Sequence, residues 1–223
     1  KLCIVNTEDM GELFRVDAKA EGSLIVLGGW TTGPDPCTRT ARWFSVVLAP
    51  EIAPWAYLKG EPYKVVASLE LMATLLAIML FVPERREGPG LGAVGFSAGT
   101  DNQGNEFIIN KLQTTKFPLC AVLMETAAQL HARNVNMNLR WRRREDNQEA
   151  DDLTNAKFEA FDPERRIPVD VPNLPFIMLN ELMSRGGTFL TELESRRAEA
   201  RLSSDRQLAK RQRREGMRVS QPW

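Results

Sequence analysis

Hydrophobic and polar positions form three short β-type stretches in the first quarter of the chain. The stretches 13–20, 22–30 and 42–49 are rich in β-branched and aromatic residues and are separated by turn-forming residues. This pattern predicts three β-strands, which could form an antiparallel meander. Segments 31–40 and 50–62 contain Gly and Pro residues and predict irregular structure.

The hydrophobic period changes at residue 65. Residues 65–81 are nearly all apolar, and their only polar members are Ser68, Glu70 and Thr74. A helix that is apolar all round is a buried one, so this segment predicts a central helix. The pattern beyond it predicts, in order, a strand over 93–100, helices over 102–112 and 118–133, a half-exposed strand over 135–142, and a helix from 146 or 147 to about 161. This order of elements is typical of an α/β fold with a mixed sheet.

The hydrophobic pattern becomes less regular beyond residue 163. Residues 167–175 contain three prolines and alternate like an extended docking strand. Residues 176–185 predict a short amphipathic helix, and 188–214 predict a longer and increasingly basic helical stretch. We therefore expect a main domain over 1–160 and a C-terminal helical extension over 161–223, whose basic end is a linker or a phosphate-binding arm.

Composition places the chain among globular proteins. Its 223 residues are 43% hydrophobic and 26% charged, which excludes a wholly disordered or collagen-like chain. The 29 basic and 29 acidic residues give a formal net charge of zero, which taken alone argues against a nucleic-acid partner. The charge is unevenly distributed, however: residues 1–160 carry 17 basic and 20 acidic residues, whereas 161–223 carry 12 and 9.

Cysteine usage and hydropathy bear on the compartment. Cys3, Cys37 and Cys120 are odd in number and form no CxxC pair, so neither a disulfide framework nor a zinc site is indicated. We expect an intracellular, reducing environment, in the cytoplasm or the nucleus. No uninterrupted apolar run approaches the roughly 18 residues needed to span a bilayer, so we expect no membrane partner. Because the first residue is Lys and no signal-peptide pattern follows, we expect a piece of a longer protein.

Four acidic residues occupy positions where the local pattern predicts burial or a strand end. Asp17 interrupts a strand, Glu70 interrupts the apolar helix, Asp101 follows a strand, and Asp151 lies in the first turns of the last helix of the main domain. A buried carboxylate is costly unless it is paired or binds a metal. Each residue alone also has an ordinary role, as a turn residue, an exposed helix face, a helix cap or a partner of the helix dipole. Together they suggest a site.

These residues and their surroundings resemble the ribonuclease H domain of retroelement polyproteins. The resemblance covers residues 13–160 and follows Asp17-Ala18 in a strand, Glu70 in SLELMATLLAI, TDN at 100–102 and NQEADDLTN at 147–155. It is similar above all to domains fused behind a reverse transcriptase in tyrosine-recombinase retrotransposons. The resemblance implies a ribonuclease H-like mixed five-stranded sheet flanked by helices, with the four acidic residues as the catalytic set. It also selects Asp151 over Asp152, which would point elsewhere.

The resemblance implies a metal-dependent endonuclease that cleaves the RNA strand of RNA–DNA hybrids during retroelement replication. Four converging carboxylates would repel one another, and two Mg²⁺ ions, or Mn²⁺, would relieve that repulsion and serve phosphodiester hydrolysis. We expect Asp17 to bridge the ions, Glu70 and Asp101 to flank one of them, and Asp151 the other. A covalently linked upstream reverse transcriptase domain is expected as a partner.

Residues for nucleic-acid contact follow from weaker signals. Asn102 is placed to reach the 2′-hydroxyls that distinguish RNA from DNA, although it could equally be a helix cap. Trp141 lies within the basic cluster Arg140, Arg142 and Arg143, which suits phosphate contacts but is also typical of a solvated strand edge.

Two other functions stay open. Many relatives carry a His before the last helix, where this chain has a run of arginines, and its only histidine, His131, is expected to be structural. The chain could therefore be a decayed ribonuclease H-fold protein that binds nucleic acid or acts as a scaffold. It could also be a DNA-acting nuclease of the same broad fold.

Overall fold

A computed structural model of the chain describes residues 9–57, 60–84 and 94–186, together with residues 188, 191, 192, 195, 196, 199 and 201. Two compact units divide the chain, Lys1–Met183 and Ser184–Trp223. The described positions of the second unit are helical. Most of the predicted basic stretch, including residues 202–214, lies outside the described residues.

Five strands of the described part of the chain form one mixed sheet, and their bounds are β1 (Asp9–Glu21), β2 (Leu24–Thr31), β3 (Trp43–Val47), β4 (Val94–Thr100) and β5 (Val135–Trp141). The strand order is β3-β2-β1-β4-β5. The first three strands pair antiparallel, as the predicted meander requires, whereas β4 pairs parallel with both β1 and β5.

Within the described ranges, four helices flank the sheet, and their bounds are α1 (Val66–Phe81), α2 (Gln103–Lys111), α3 (Leu119–Arg133) and α4 (Gln148–Thr154). The main apolar core combines α1 and α3 with the sheet residues Phe14, Leu27 and Phe44. A smaller apolar cluster on the opposite face joins α4 to Trp30 and Trp43. The predicted mixed five-stranded sheet flanked by helices is therefore confirmed.

The central helix α1 corrects the expectation that no segment of the chain is long and apolar enough to span a bilayer. Residues Pro62–Phe81 form one continuous helical segment that is long and apolar enough to cross a bilayer, with a mean hydropathy of 1.9. The sequence search for uninterrupted apolar runs missed it because isolated polar residues break the run. Within the protein, 72% of this window is buried, as expected for the core helix of a folded domain.

Helix α4 ends at Thr154, well before the predicted end near Phe161. The Asn155 side chain donates a hydrogen bond to the Asp151 carbonyl oxygen at 2.8 Å, and Ala156 has a left-handed backbone with φ of 59°. After this turn, Phe158 and Phe161 pack on Trp43, with ring centroids 5.1 and 5.5 Å apart. The prediction was wrong because helical propensity continues past the point where these aromatic contacts redirect the chain.

Gly28 allows α4 to lie close to the sheet. A Cβ atom at Gly28 would come within 2.9 Å of the Leu153 Cβ, a distance that real Cβ atoms essentially never show. Gly28 is the register partner of Asp17. The close approach at this point therefore brings the end of α4 next to Asp17.

Residues 161–183 belong to the first compact unit, in which a buried carboxylate on α3 anchors them. Glu125 is fully buried and accepts hydrogen bonds from the backbone N–H groups of Ile177, Met178 and Leu179 at 2.7 to 2.9 Å. The Gln129 amide donates a further bond to it at 2.7 Å. These N–H groups lie just before and at the start of the helical turn that begins at Leu179, so Glu125 caps that turn from another element.

We expect Glu125→Ala to destabilise the fold by about 3 to 5 kcal/mol, because one buried and two partly buried N–H groups lose a charged acceptor. Chemical denaturation monitored by circular dichroism measures this loss. Glu159→Ala removes an exposed carboxylate and should stay within about 0.5 kcal/mol of the wild type. A loss below about 1 kcal/mol for Glu125→Ala would contradict the anchoring role.

Candidate active site

Strand register brings Asp17 and Asp101 together. In the parallel pair of β1 and β4, Arg15 lies opposite Gly99, so a continuation by two residues places Asp17 beside Asp101. Asp17 is 7% exposed, and the Thr154 hydroxyl donates a hydrogen bond to its Oδ2 atom at 2.9 Å. Asp101 follows the last residue of β4 and is half-buried.

Glu70 reaches the same edge of the sheet from α1. It is 8% exposed and stands between Leu69 and Leu71, which are fully buried. The Asn102 side chain donates a hydrogen bond to the Glu70 carboxylate, while its Oδ1 atom accepts the Asn105 backbone N–H at 3.1 Å. Asn102 is therefore the N-cap of α2, one of the two roles expected for it, and it also contacts the acidic cluster.

Asp151 completes the set from α4, but it is held by other partners. The Arg144 guanidinium forms an ion pair with Asp151 Oδ1 at 2.8 Å, and the Asn155 amide donates to Oδ2 at 3.0 Å. Asp152 contacts Gln148 at 2.9 Å and Lys157 at 3.5 Å. Gln148 also reaches Asp151 Oδ2, at 3.4 Å, but of the two neighbouring carboxylates Asp151 is the one that interacts electrostatically with Asp17 and Asp101.

Burial and mutual repulsion raise the pKa values of this cluster. Desolvation, followed by the charge of Asp101, raises the pKa of Asp17 to about 6. Desolvation, followed by the charges of Asp101 and Asp17, raises the pKa of Glu70 to about 8. Burial also raises the pKa of Asp101, although the Arg144 guanidinium opposes this shift. Burial and the negative charge of their neighbours therefore disfavour the ionised forms of all three carboxylates.

The donor set fits a hard divalent cation. Glu70 Oε2 and Asp101 Oδ1 are buried atoms without a hydrogen-bond partner, and an unpartnered buried carboxylate oxygen is costly. Carboxylate oxygens are the ligands that Mg²⁺ prefers. Within the described ranges, no three Asp, Glu, His or Cys side chains already surround one point as ligands would.

The raised pKa values predict that, without divalent ions, ionisation of Asp17 weakens the fold as the pH rises. The pKa of Asp17 is about 6 in the folded chain against an ordinary 3.8, so this group favours the folded state in acid and loses that contribution between about pH 4 and pH 6. The shift corresponds to about 3 kcal/mol. Denaturation in EDTA should show this loss for the wild type relative to Asp17→Asn, in which the group cannot ionise.

The control for this pH dependence is Asp152→Asn, whose carboxylate lies outside the cluster. It should show the same change of stability with pH as the wild type. If Asp17→Asn and the wild type change in parallel across this range, Asp17 does not carry the raised pKa.

The basic residues singled out from the sequence lie along β5 and the turn after it. Arg140, Trp141 and Arg143 are exposed, and the Trp141 indole N–H donates to the Asp101 carbonyl oxygen at 3.1 Å. Arg142 is half-buried, and its Nε atom donates to Glu12 Oε2 at 3.1 Å. Trp141 therefore borders the acidic cluster directly, whereas Arg142 is committed to a contact within the fold.

Sequence reasoning missed Thr154 and the ion pair of Arg144. A Thr in the last turn of a helix gives no sign of such a contact until packing of α4 against Gly28 places it next to Asp17. Arg144 was visible only as one member of an arginine run. His131 is exposed in the last turn of α3 and lines a groove with Asn134 and Met137, so it lies away from the cluster. Trp30, Trp43 and Trp55 are buried, as expected of core anchors.

Solved structures of ribonucleases H are similar to this chain. RNase H1 from Halobacterium salinarum is 15% identical with a TM-score of 0.42, and the similarity covers 68% of this chain and 98% of that one. LC11-RNase H1, isolated from compost by a metagenomic approach, is 18% identical with a TM-score of 0.44, covering 69% and 96%. The N-terminal RNase H domain of a Mycobacterium tuberculosis protein is 17% identical with a TM-score of 0.41, covering 69% and 96%.

No protein-family model matches the chain, and no curated protein matches it. At such low identities and TM-scores, the similarity to solved structures says nothing about activity. The fold class rests on the strand order and helix placement of this chain itself.

Proposed function

We propose that this chain is a metal-dependent ribonuclease H-type endonuclease that cleaves the RNA strand of RNA–DNA hybrids. The observation that carries the proposal is the meeting of acidic residues from β1, α1, the tip of β4 and α4 at one edge of the sheet. The electrostatic coupling of Asp17, Glu70, Asp101 and Asp151 supports their assignment as the catalytic set.

These four carboxylates are also the residues that would hold Mg²⁺ or Mn²⁺. When bound, two such ions supply the charge that activates a water molecule and stabilises the leaving 3′-oxygen in phosphodiester hydrolysis. Thr154 fixes the orientation of Asp17 by its hydrogen bond, and Asn102 does the same for Glu70. Both contacts limit the side-chain motion of a ligand before substrate arrives.

Substrate contact is assigned to the surface that borders the cluster. Trp141 offers an exposed ring beside Asp101, which suits stacking on a base or sugar. Arg140 and Arg143 are exposed and suit phosphate contacts. Arg142, which is bonded to Glu12, adds its positive charge to the same surface. Asn102, next to Asp101, is proposed to contact a 2′-hydroxyl, which is the group that separates RNA from DNA.

The retroelement role rests on the resemblance of the sequence motifs alone. On that basis we propose that the chain is part of an intracellular reverse transcriptase and ribonuclease H polyprotein, with residues 161–223 as its C-terminal extension. The basic end of that extension is proposed as a linker or a phosphate-binding arm.

Arg144 is proposed as a positioning residue, because it holds Asp151 and opposes the pKa shift of Asp101. We expect Arg144→Ala to lower kcat for hybrid cleavage by about tenfold with little change in KM, since small displacements of a catalytic group are costly. Arg144→Lys should restore part of kcat. Steady-state kinetics on a labelled hybrid measures both.

The matched control is Arg143→Ala, at the exposed neighbour assigned to phosphate contact. It should raise KM and leave kcat nearly unchanged, because a phosphate contact acts on substrate binding. If both variants change KM and kcat alike, Arg144 has no positioning role.

The proposed function is tested with duplexes of one sequence in three forms: RNA–DNA hybrid, double-stranded DNA and double-stranded RNA. With Mg²⁺, the hybrid should be cleaved in its RNA strand and the other two should stay intact. Cleavage of double-stranded DNA instead would support the DNA-acting alternative, and binding without cleavage would support a decayed domain.

A further inference from the structure

The early end of α4 leaves part of the sheet uncovered. Beyond Ala156, a groove of about 770 Å³ lies over the end of β1, the start of β2 and the end of β3 on the α4 side of the sheet. Its floor includes Leu24, Val26 and Val47, and Leu24 and Val47 are among the exposed large hydrophobic residues of the chain, at 44% and 55%. An exposed apolar patch of this kind marks an interaction surface more often than a single exposed residue does.

Two cations and no acidic residue line the groove, all within the described part of the chain. Lys19 donates to Asn155 Oδ1 at 3.1 Å and pairs with Glu21, which lies outside the lining. Arg166 lies over the rings of Trp43 and Phe158, 5.2 and 5.3 Å from their centroids, and donates to the Ser45 carbonyl oxygen. The guanidinium is thus held in place at the rim, which lowers the entropy cost of binding an anion.

The groove also runs along the outer edge of β3, with which the rest of the chain forms only an isolated bridge among the described residues. Arg166 forms a parallel bridge with Trp43, and the Ile167 N–H donates to the Trp43 carbonyl oxygen at 2.8 Å. The next carbonyl oxygen on this edge, that of Ser45, accepts the Arg166 guanidinium instead of a backbone N–H, so among the described residues this pairing is an isolated bridge at Trp43. An extended peptide is the occupant whose backbone can pair with such an edge.

We propose that this groove binds an extended segment of a partner protein in which apolar and acidic residues alternate. Apolar side chains would cover Leu24, Val26 and Val47, and carboxylates would face Lys19 and Arg166. A peptide suits the site better than nucleic acid, because the floor is aliphatic and two cations neutralise few phosphates. The inference goes beyond the proposed nuclease function and concerns a different surface of the chain.

A capped hexapeptide of alternating Val and Glu is the probe, titrated into ¹⁵N-labelled full-length protein. We expect saturable shifts at the amides of Val26, Val47 and Ile167, with a dissociation constant below about 1 mM. A hexapeptide of alternating Val and Lys should bind at least tenfold more weakly. The proposal is overturned by equal binding of both peptides, by no saturable shift, or by a single-stranded oligonucleotide that shifts these amides when the Val–Glu peptide does not.

Variants locate the site. Val47→Glu should weaken binding of the Val–Glu peptide by tenfold or more, whereas Ile177→Glu, at a position of nearly equal exposure, should leave it unchanged. Lys19→Gln should weaken it several-fold, and Lys116→Gln, which makes the same change of net charge, should not. The proposal is overturned if a groove variant and its control, Val47→Glu with Ile177→Glu or Lys19→Gln with Lys116→Gln, change peptide binding equally. Thermal melts verify that each variant is folded.

Hybrid cleavage keeps the two proposals distinguishable. Val47 lies on β3, two strands away from Asp17, so Val47→Glu should cleave hybrid like the wild type. Loss of peptide binding with unchanged cleavage supports the groove, and peptide binding by a protein that cleaves nothing would refute the nuclease function alone.

Discussion

Replacing Asp101 with Asn should reduce RNA–DNA hybrid cleavage by about 10³-fold or more, the scale at which loss of one group that stabilises transition-state charge acts. The change keeps the shape of the side chain and removes its charge. The charge of Asp101 acts on both Asp17 and Glu70, and its Oδ1 atom is buried without a hydrogen-bond partner. Single-turnover cleavage of a labelled hybrid in Mg²⁺ measures the loss.

The same substitution should not unfold the protein. Because Asp101 raises the pKa values of Asp17 and Glu70, removing its charge relieves repulsion, and the melting temperature in EDTA should stay equal or rise. Asp152→Asn is the matched control, since Asp152 contacts Gln148 and Lys157 instead, and it should retain most of the activity. Similar activity losses in the two variants would remove the basis for the site assignment.

Mg²⁺ should stabilise the protein strongly near pH 8 and weakly near pH 5. Divalent ions bind ionised carboxylates, and the raised pKa values of Asp17 and Glu70, about 6 and about 8, keep these groups protonated in acid. At a free concentration about 100 times the dissociation constant, binding adds about 2.7 kcal/mol. For a chain of this size, that corresponds to a rise in melting temperature of about 5 to 10 °C.

Differential scanning calorimetry with Mg²⁺ or EDTA at both pH values measures this effect, with NaCl of matched ionic strength as the control for screening. Asp101→Asn should lose most of the Mg²⁺-dependent rise. A rise that is equal at both pH values, or that survives in Asp101→Asn, would show that Mg²⁺ binds elsewhere.

The elements of the fold could be predicted where one strong pattern decides them. Residues 65–81 are apolar all round, and α1 occupies Val66–Phe81. In residues 135–142 polar and apolar residues alternate, which predicts a strand, and β5 occupies Val135–Trp141. α4 could not be bounded from sequence, because what ends it is packing of Phe158 and Phe161 on Trp43, more than a hundred residues away.

The acidic members of the candidate site could be proposed from the sequence, but the residues that support them could not. Asp17, Glu70 and Asp101 interrupt or end an apolar pattern, whereas Asp151 was selected over Asp152 by the resemblance of its motif. The hydrogen bond of Thr154 and the ion pair of Arg144 leave every local pattern intact. Glu125 shows the same limit, since a single carboxylate on an amphipathic helix does not reveal that three distant N–H groups converge on it.

The most direct test of the account is cleavage of an RNA–DNA hybrid whose two strands carry different labels, incubated with the unmodified protein in Mg²⁺. The account predicts RNA fragments ending in 3′-hydroxyl and 5′-phosphate groups, an intact DNA strand, and no products in EDTA. An intact RNA strand at stoichiometric protein, or products that persist in EDTA, would contradict the assignment of this carboxylate cluster as a metal-dependent nuclease site.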